Sequence, residues 1–145
     1  MSGAPFEFVD DVTSDLSFVA HGRTLGEVFE AAAAALLAAT LEHPEALRET
    51  ETRRIELAEP DRELLLLAFL NELVYLRDAE RMLLRPLRLE VEETAGEARL
   101  RGELAGERID RARHRLASEV KAATAHGLRL SEERGGFRAT LTLDV

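Results

Sequence analysis

The 145-residue chain has no cysteine, no tryptophan, a single lysine (Lys121) and no run of 18 apolar residues. Without cysteine there is no disulfide, no thiol nucleophile and no thiolate zinc site, so any metal must be held by oxygen or imidazole. Lacking a long apolar run, the chain is expected to have no membrane span. Its start, MSGAPFEFVDD, has neither the basic nor the apolar region of a secretory signal, and a cytoplasmic protein is expected. Catalytic signatures are missing too: there is no Gly-rich phosphate loop, HExxH or GxSxG, and the four histidines (His21, His43, His114, His126) are never at ligand spacing. No self-contained catalytic set is visible, so the chain is not read as an enzyme.

What is present describes a folded domain. Hydrophobic residues make up 46% and charged residues 32%, too apolar a balance for a disordered chain, and the length suits one core spanning 1–145. The net charge of −9 argues against a general nucleic-acid coat protein. That charge is uneven, with −12 over residues 1–98 and +3 over 99–145, which implies a polarised surface.

Periodicity then gives the elements. EFVDD and SDLSFVAHG alternate as two short strands, with Leu16, Phe18 and Ala20 on one face and Asp15, Ser17, Val19 and His21 on the other. Thr24 with Glu27 is a capping-box signature, followed by Leu25, Val28, Phe29, Ala32, Leu36 and Leu37 at helical spacing. TRRIELA reads as a strand, and Asp61 opens a second helix whose run from Leu64 to Leu76 is nearly all apolar. RMLLRPLRLEVEE, ARLRGELAG, SEVKAATAHGLRLSEE and FRATLTLDV read as strands joined by glycine-bearing turns. The order β-β-α-β-α-β-β-β-β predicts an α+β fold, a mixed or antiparallel β-sheet sandwich with both helices on one face.

Three groups are candidates for function. In the last strand Arg138, Thr140, Thr142 and Asp144 share one face, and the chain ends at Val145, so a terminal carboxylate stands beside Asp144. A third acid from Asp10, Asp11 or Asp15 would complete a hard oxygen site suited to Ca²⁺, Mg²⁺ or Mn²⁺. SEVKAATAHGL brings Glu119, Lys121, Thr124 and His126 together, with a Glu119–Lys121 ion pair as the plainest expectation. ERIDRARHR clusters Arg108, Arg111, Arg113, His114 and Arg115, either as a solvated loop or as a contact to phosphates or an acidic partner.

Taken in order, FEFVDDVTSDLSF, GRTLGEVFEAAAAAL, ELLLLAFLNELVYL, SEVKAATAHGL and GGFRATLTLDV resemble the archease family over essentially the whole chain. The resemblance implies an accessory protein of the RNA ligase RtcB, meeting RNA through the ligase. Such a protein promotes guanylylation and multiple turnover in tRNA splicing or RNA repair. It also implies a metal site at Asp15, Asp144 and the Val145 carboxylate, and makes Glu119, Lys121, Thr124 and His126 a ligase-contact patch. A metal-independent chaperone-like or RNA-binding module, using the Arg108–Arg115 segment, is the alternative. Two departures stand out. Where the family commonly reads His-Thr-Ala-Asp this chain has Val12, Thr13, Ser14 and Asp15, and a frequent tyrosine is Ala125. These departures resemble a bacterial branch.

Overall fold

A computed structural model of the chain describes residues 5–9 and 15–145. In chain order the elements are β1 (Phe6–Val9), β2 (Asp15–Gly22), α1 (Leu25–Thr40), a 3-10 turn (Pro44–Ala46), β3 (Glu51–Glu59), α2 (Arg62–Glu80), β4 (Met82–Thr94), β5 (Glu97–Arg108), β6 (Ala122–Glu133) and β7 (Gly136–Asp144). The expected order of elements holds. The sheet divides in two, however: β1-β2-β7-β6 form one sheet and β3-β5-β4 the other, and every pair is antiparallel. Both helices pack against strands of both sheets. The mixed sheet, one of the two expected forms, is therefore not formed among the described residues. The strand between the helices, β3, is paired by β5 of the later hairpin.

Each helix starts where its side chains can satisfy orphan amides. Thr24 Oγ1 accepts from the Glu27 amide at 3.1 Å, while Glu27 Oε1 accepts from the Arg23 amide at 2.9 Å, closing the expected box one residue further back than usual. Asp61 Oδ1 accepts from the Leu64 amide at 2.9 Å. α2 ends where Arg81 adopts the left-handed conformation (φ 59°), and its amide bonds to Leu76 O.

The core lies between the two helices and the strand faces they cover. Phe29 and Phe69, both fully buried, meet with ring centroids 5.8 Å apart, and Phe18, Leu65, Leu66, Leu70, Leu104, Leu141 and Leu143 close around them. Each such side chain contributes about 1.5–3 kcal/mol by leaving water. α2 is not covered all round, because Leu64 and Tyr75 stay exposed. Pro86 falls in β4 where the register with β5 shifts between Pro86 and Arg88, which accommodates a residue with no amide to give. No helix among the described residues is long and apolar enough to cross a membrane.

The edge strand β6 is held by polar groups of α2. The Asn71 carboxamide donates to Ala123 O at 3.0 Å and accepts from Ala123 N at 2.8 Å, taking the place of a further strand. Eight residues earlier on the helix, Glu63 Oε2 accepts from the Leu130 amide at 2.7 Å. Between these two clasps β6 leaves its ladder from Thr124 to Arg129, with Gly127 at φ 70° making the excursion possible.

Candidate functional site

The outward face of the β2-β7-β6 ribbon carries a row of polar side chains. In the register, Asp15 stands opposite Asp144, Ser17 opposite Thr142, Val19 opposite Thr140 and His21 opposite Arg138. Asp144 O accepts from the Lys121 amide at 2.7 Å, so the main chain of Asp144 turns its hydrogen-bonding side to β6. By strand parity, the Asp15–Asp144 pair is then a non-hydrogen-bonded one, the type whose side chains approach more closely, with Cα atoms about 4.5 Å apart. The next row agrees: Ser17 Oγ and Thr142 Oγ1 are hydrogen-bonded at 2.9 Å.

Asp15 and Asp144 are both half-buried, and two carboxylates about 5 Å apart would repel by about 3 kcal/mol at an effective dielectric near 20. An arrangement of this kind is relieved by a cation. Its donors are all oxygens, the chemistry of Ca²⁺, Mg²⁺ or Mn²⁺ rather than of a soft metal. Among the described residues no group of three or more His, Cys, Asp or Glu side chains gathers at one point. A cation at this pair would need a further ligand from outside these groups. Asp10 and Asp11 lie outside the described residues, and the side chain of Val145 packs on the core beside Asp144.

The other predicted groups meet this site unequally. Thr124 belongs to it: its hydroxyl donates to Thr142 O at 3.2 Å and accepts from the His126 amide at 3.3 Å. Lys121 is joined through its main chain to Asp144, and the Lys121, Glu119 and His126 side chains are exposed. β6 begins only at Ala122, so residues 118–121 are not strand. The expected Glu119–Lys121 ion pair is not formed among the described residues. Ser17 and Thr142 were not singled out from the sequence as members, although both lie two residues from the aspartates, at the period that puts side chains on one face.

The arginine segment is neither a uniform strip nor a loose loop. Glu107, at the end of β5, is buried and accepts from Arg113, from the Arg48 amide at 2.7 Å and from His114 Nε2 at 3.1 Å. Burial pushes its carboxyl upward, but these hydrogen bonds and the Arg113 charge outweigh that and hold it down at about 2. His114 Nδ1 accepts from the Asp110 amide at 2.8 Å, which leaves the ring proton on Nε2, facing Glu107. Arg113 is thus turned inward, Arg108 donates to Glu80 O at 3.5 Å, and Arg111 and Arg115 are exposed.

Comparison with known proteins now joins this geometry to a family. The model of the archease protein family matches residues 6–145. The chain belongs to the archease family. Among its relatives are the archeases of Methanothermobacter thermautotrophicus, 36% identical over 97% of this chain and 98% of that one, and of Methanosarcina mazei, 33% identical over 99% and 97%. The solution structure of a Methanobacterium thermoautotrophicum protein superposes with a TM-score of 0.84 at 35% identity, covering 98% of this chain and 99% of the other. An archease crystal structure from Thermotoga maritima, described as a possible chaperone, shares the fold at a TM-score of 0.58 and 17% identity over 94% and 95%.

Proposed function

We propose that the chain is the accessory protein of the GTP-dependent RNA ligase RtcB in the cytoplasm. There it promotes guanylylation and repeated turnover in tRNA splicing or RNA repair. The observation that carries this reading is the register of Asp15 against Asp144, which joins strands from opposite ends of the sequence at one carboxylate pair. Family membership supports it.

In this reading the side chains of Asp15 and Asp144, with the carboxylate of Val145, hold the divalent cation. When bound, such an ion places positive charge beside a phosphoryl group. The chain's own part is to fix the carboxylates. Ladder pairing sets their separation, the Ser17–Thr142 bond ties the row behind them, and the packed side chain of Val145 steadies the last residue. Lys121, Thr124, His126 and Glu119 border this end of the sheet and form the contact to the ligase, where the remaining chemistry resides.

A metal-independent chaperone-like role is the second reading. It is favoured by the exposure of Phe8, Val9 and Leu87 and by the description of the Thermotoga relative as a possible chaperone. A multiple-turnover ligation assay with the cognate ligase separates the two. Added wild-type protein should raise turnover, and Asp15→Ala or a short C-terminal extension should bring it back to the level of ligase alone. Stimulation surviving both changes would leave the chaperone-like reading standing in its place.

A further inference from the structure

At the Ile109–Leu116 loop lies an open depression of about 680 Å³, with Arg111, Arg113, His114, Arg115 and His43 among its lining residues. No carboxylate among the described residues lines it. We propose that this depression binds the phosphodiester backbone of a nucleic-acid strand. In a chain of net charge −9, strand binding has to be local, and this is where the cations converge.

The loop is built to hold its arginines still. Beneath it Glu107 ties together Arg113, His114 and the Arg48 amide, and His114 in turn accepts from the Asp110 amide. Asp110 turns the chain by accepting from the amides of Ala112, Arg113 and His114. Beyond the turn, Glu42 N donates to Arg115 O at 2.9 Å, Leu41 bridges Leu116, and Ala117 N donates to Thr40 O at 2.8 Å. The buried carboxylate therefore neutralises Arg113 while the exposed Arg111 and Arg115 have no side-chain partner among the described residues. Two unpaired guanidiniums carried on a fixed main chain suit successive phosphates, because the loop itself need not be ordered on binding.

The lining also says which partner. Its apolar members are Ala112 and the exposed Leu116, with no Phe, Tyr or Trp, a single aliphatic side chain where protein interfaces depend on clusters of anchors. Those absent aromatics are also the strongest stacking platforms, so binding should rest on the backbone more than on the bases. Residues 117–121 lead from this loop to the main chain beside Asp144, a span of at most about 20 Å when extended. A strand seated here is within reach of the carboxylate pair, although the proposal does not depend on that pair or on the ligase.

The test is fluorescence anisotropy of a short labelled single-stranded RNA with the full chain alone, titrated over a range of low salt. The double variant Arg111→Ala/Arg115→Ala should bind at least about tenfold more weakly. The slope of log affinity against log salt should fall by about 1.4, the share of two phosphate contacts on a single strand. Arg54→Ala/Arg88→Ala, which removes the same charge from the outer face of the β3-β5-β4 sheet, should bind like the wild type, and thermal melting should show both variants folded. The proposal is overturned if the wild type does not bind RNA at low salt or if the two double variants weaken equally. Binding a polyglutamate of similar length as tightly as RNA overturns it too, since that outcome points to an acidic protein partner.

Discussion

Gly106→Ala is expected to destabilise the domain by about 3 kcal/mol or more, a large share of the 5–15 kcal/mol typical of a domain. Gly106 lies on β5, the central strand of its sheet, paired on one side with Glu51 and on the other with Leu84. A Cβ built there would sit 1.7 Å from Leu83 O and 2.8 Å from Leu83 C. Those atoms are main chain within a strand, so no rotamer change can make room. Either β4 or β5 must move, and Gly106 O also accepts from the Thr50 amide at 2.9 Å. The displaced backbone leads directly into Glu107, so the loss should spread to the knot beneath the arginine loop. Urea denaturation measures the cost. A midpoint equal to that of the wild type would mean that the sheet accommodates the methyl group and that the close approach is not a constraint.

Glu107→Gln should cost about 2–3 kcal/mol at neutral pH, because a charged acceptor of three buried hydrogen bonds becomes a neutral amide that receives them poorly. The pH dependence is the sharper signature. The native carboxyl titrates at about 2, against an ordinary value of 4.5. A depressed carboxyl stabilises the fold fully above its unfolded value, and that contribution is lost as pH falls from about 4.5 toward 2. The gap between wild type and Glu107→Gln should therefore be widest at neutral pH and narrow by about 2 kcal/mol by about pH 3. Urea midpoints of both proteins across this range supply the comparison. A gap that stays constant with pH would mean that the glutamate holds the loop by shape and not by charge.

How much of this was legible in the sequence follows from the range of the forces involved. The caps at Thr24 and Asp61, the helices behind them and the alternation of β2 and β7 are local patterns, and each appears where period and capping chemistry put it. Strand partners are not local. β3 gives no sign that it pairs with β5 some 40 residues later, because pairing depends on which edges the helices leave open, and so the division of the strands between the two sheets is not written in local pattern. In the helical pattern Asn71 is only a polar interruption of an apolar run, and Glu63 only an acid in the first turn. Their role became visible only when β6 lay beside them with main-chain groups to satisfy.

The candidate site shows the same division. That Asp144 shares a face with Thr142 and Thr140 follows from period 2, whereas its standing opposite Asp15 required the register of strands more than 120 residues apart. Family resemblance supplied what spacing could not, naming Asp15 in place of Asp10 or Asp11. In the arginine segment, the sequence shows a cluster that fits either a solvated loop or a contact to phosphates or an acidic partner. Sequence alone does not tell an arginine aimed at solvent from one folded back on a buried glutamate, and Glu107 at the end of β5 turns Arg113 inward while Arg111 and Arg115 stay outside.

Calorimetric titration with Ca²⁺ and Mn²⁺ in the absence of ligase asks whether the Asp15–Asp144 pair binds a hard divalent cation, as we claim. The wild-type protein should show saturable binding of about one ion per chain, and Asp144→Asn should weaken it at least about tenfold while leaving the melting curve of the metal-free protein cooperative. A wild-type protein that takes up neither ion, or an Asp144→Asn protein that binds as tightly as the wild type, would contradict the claim.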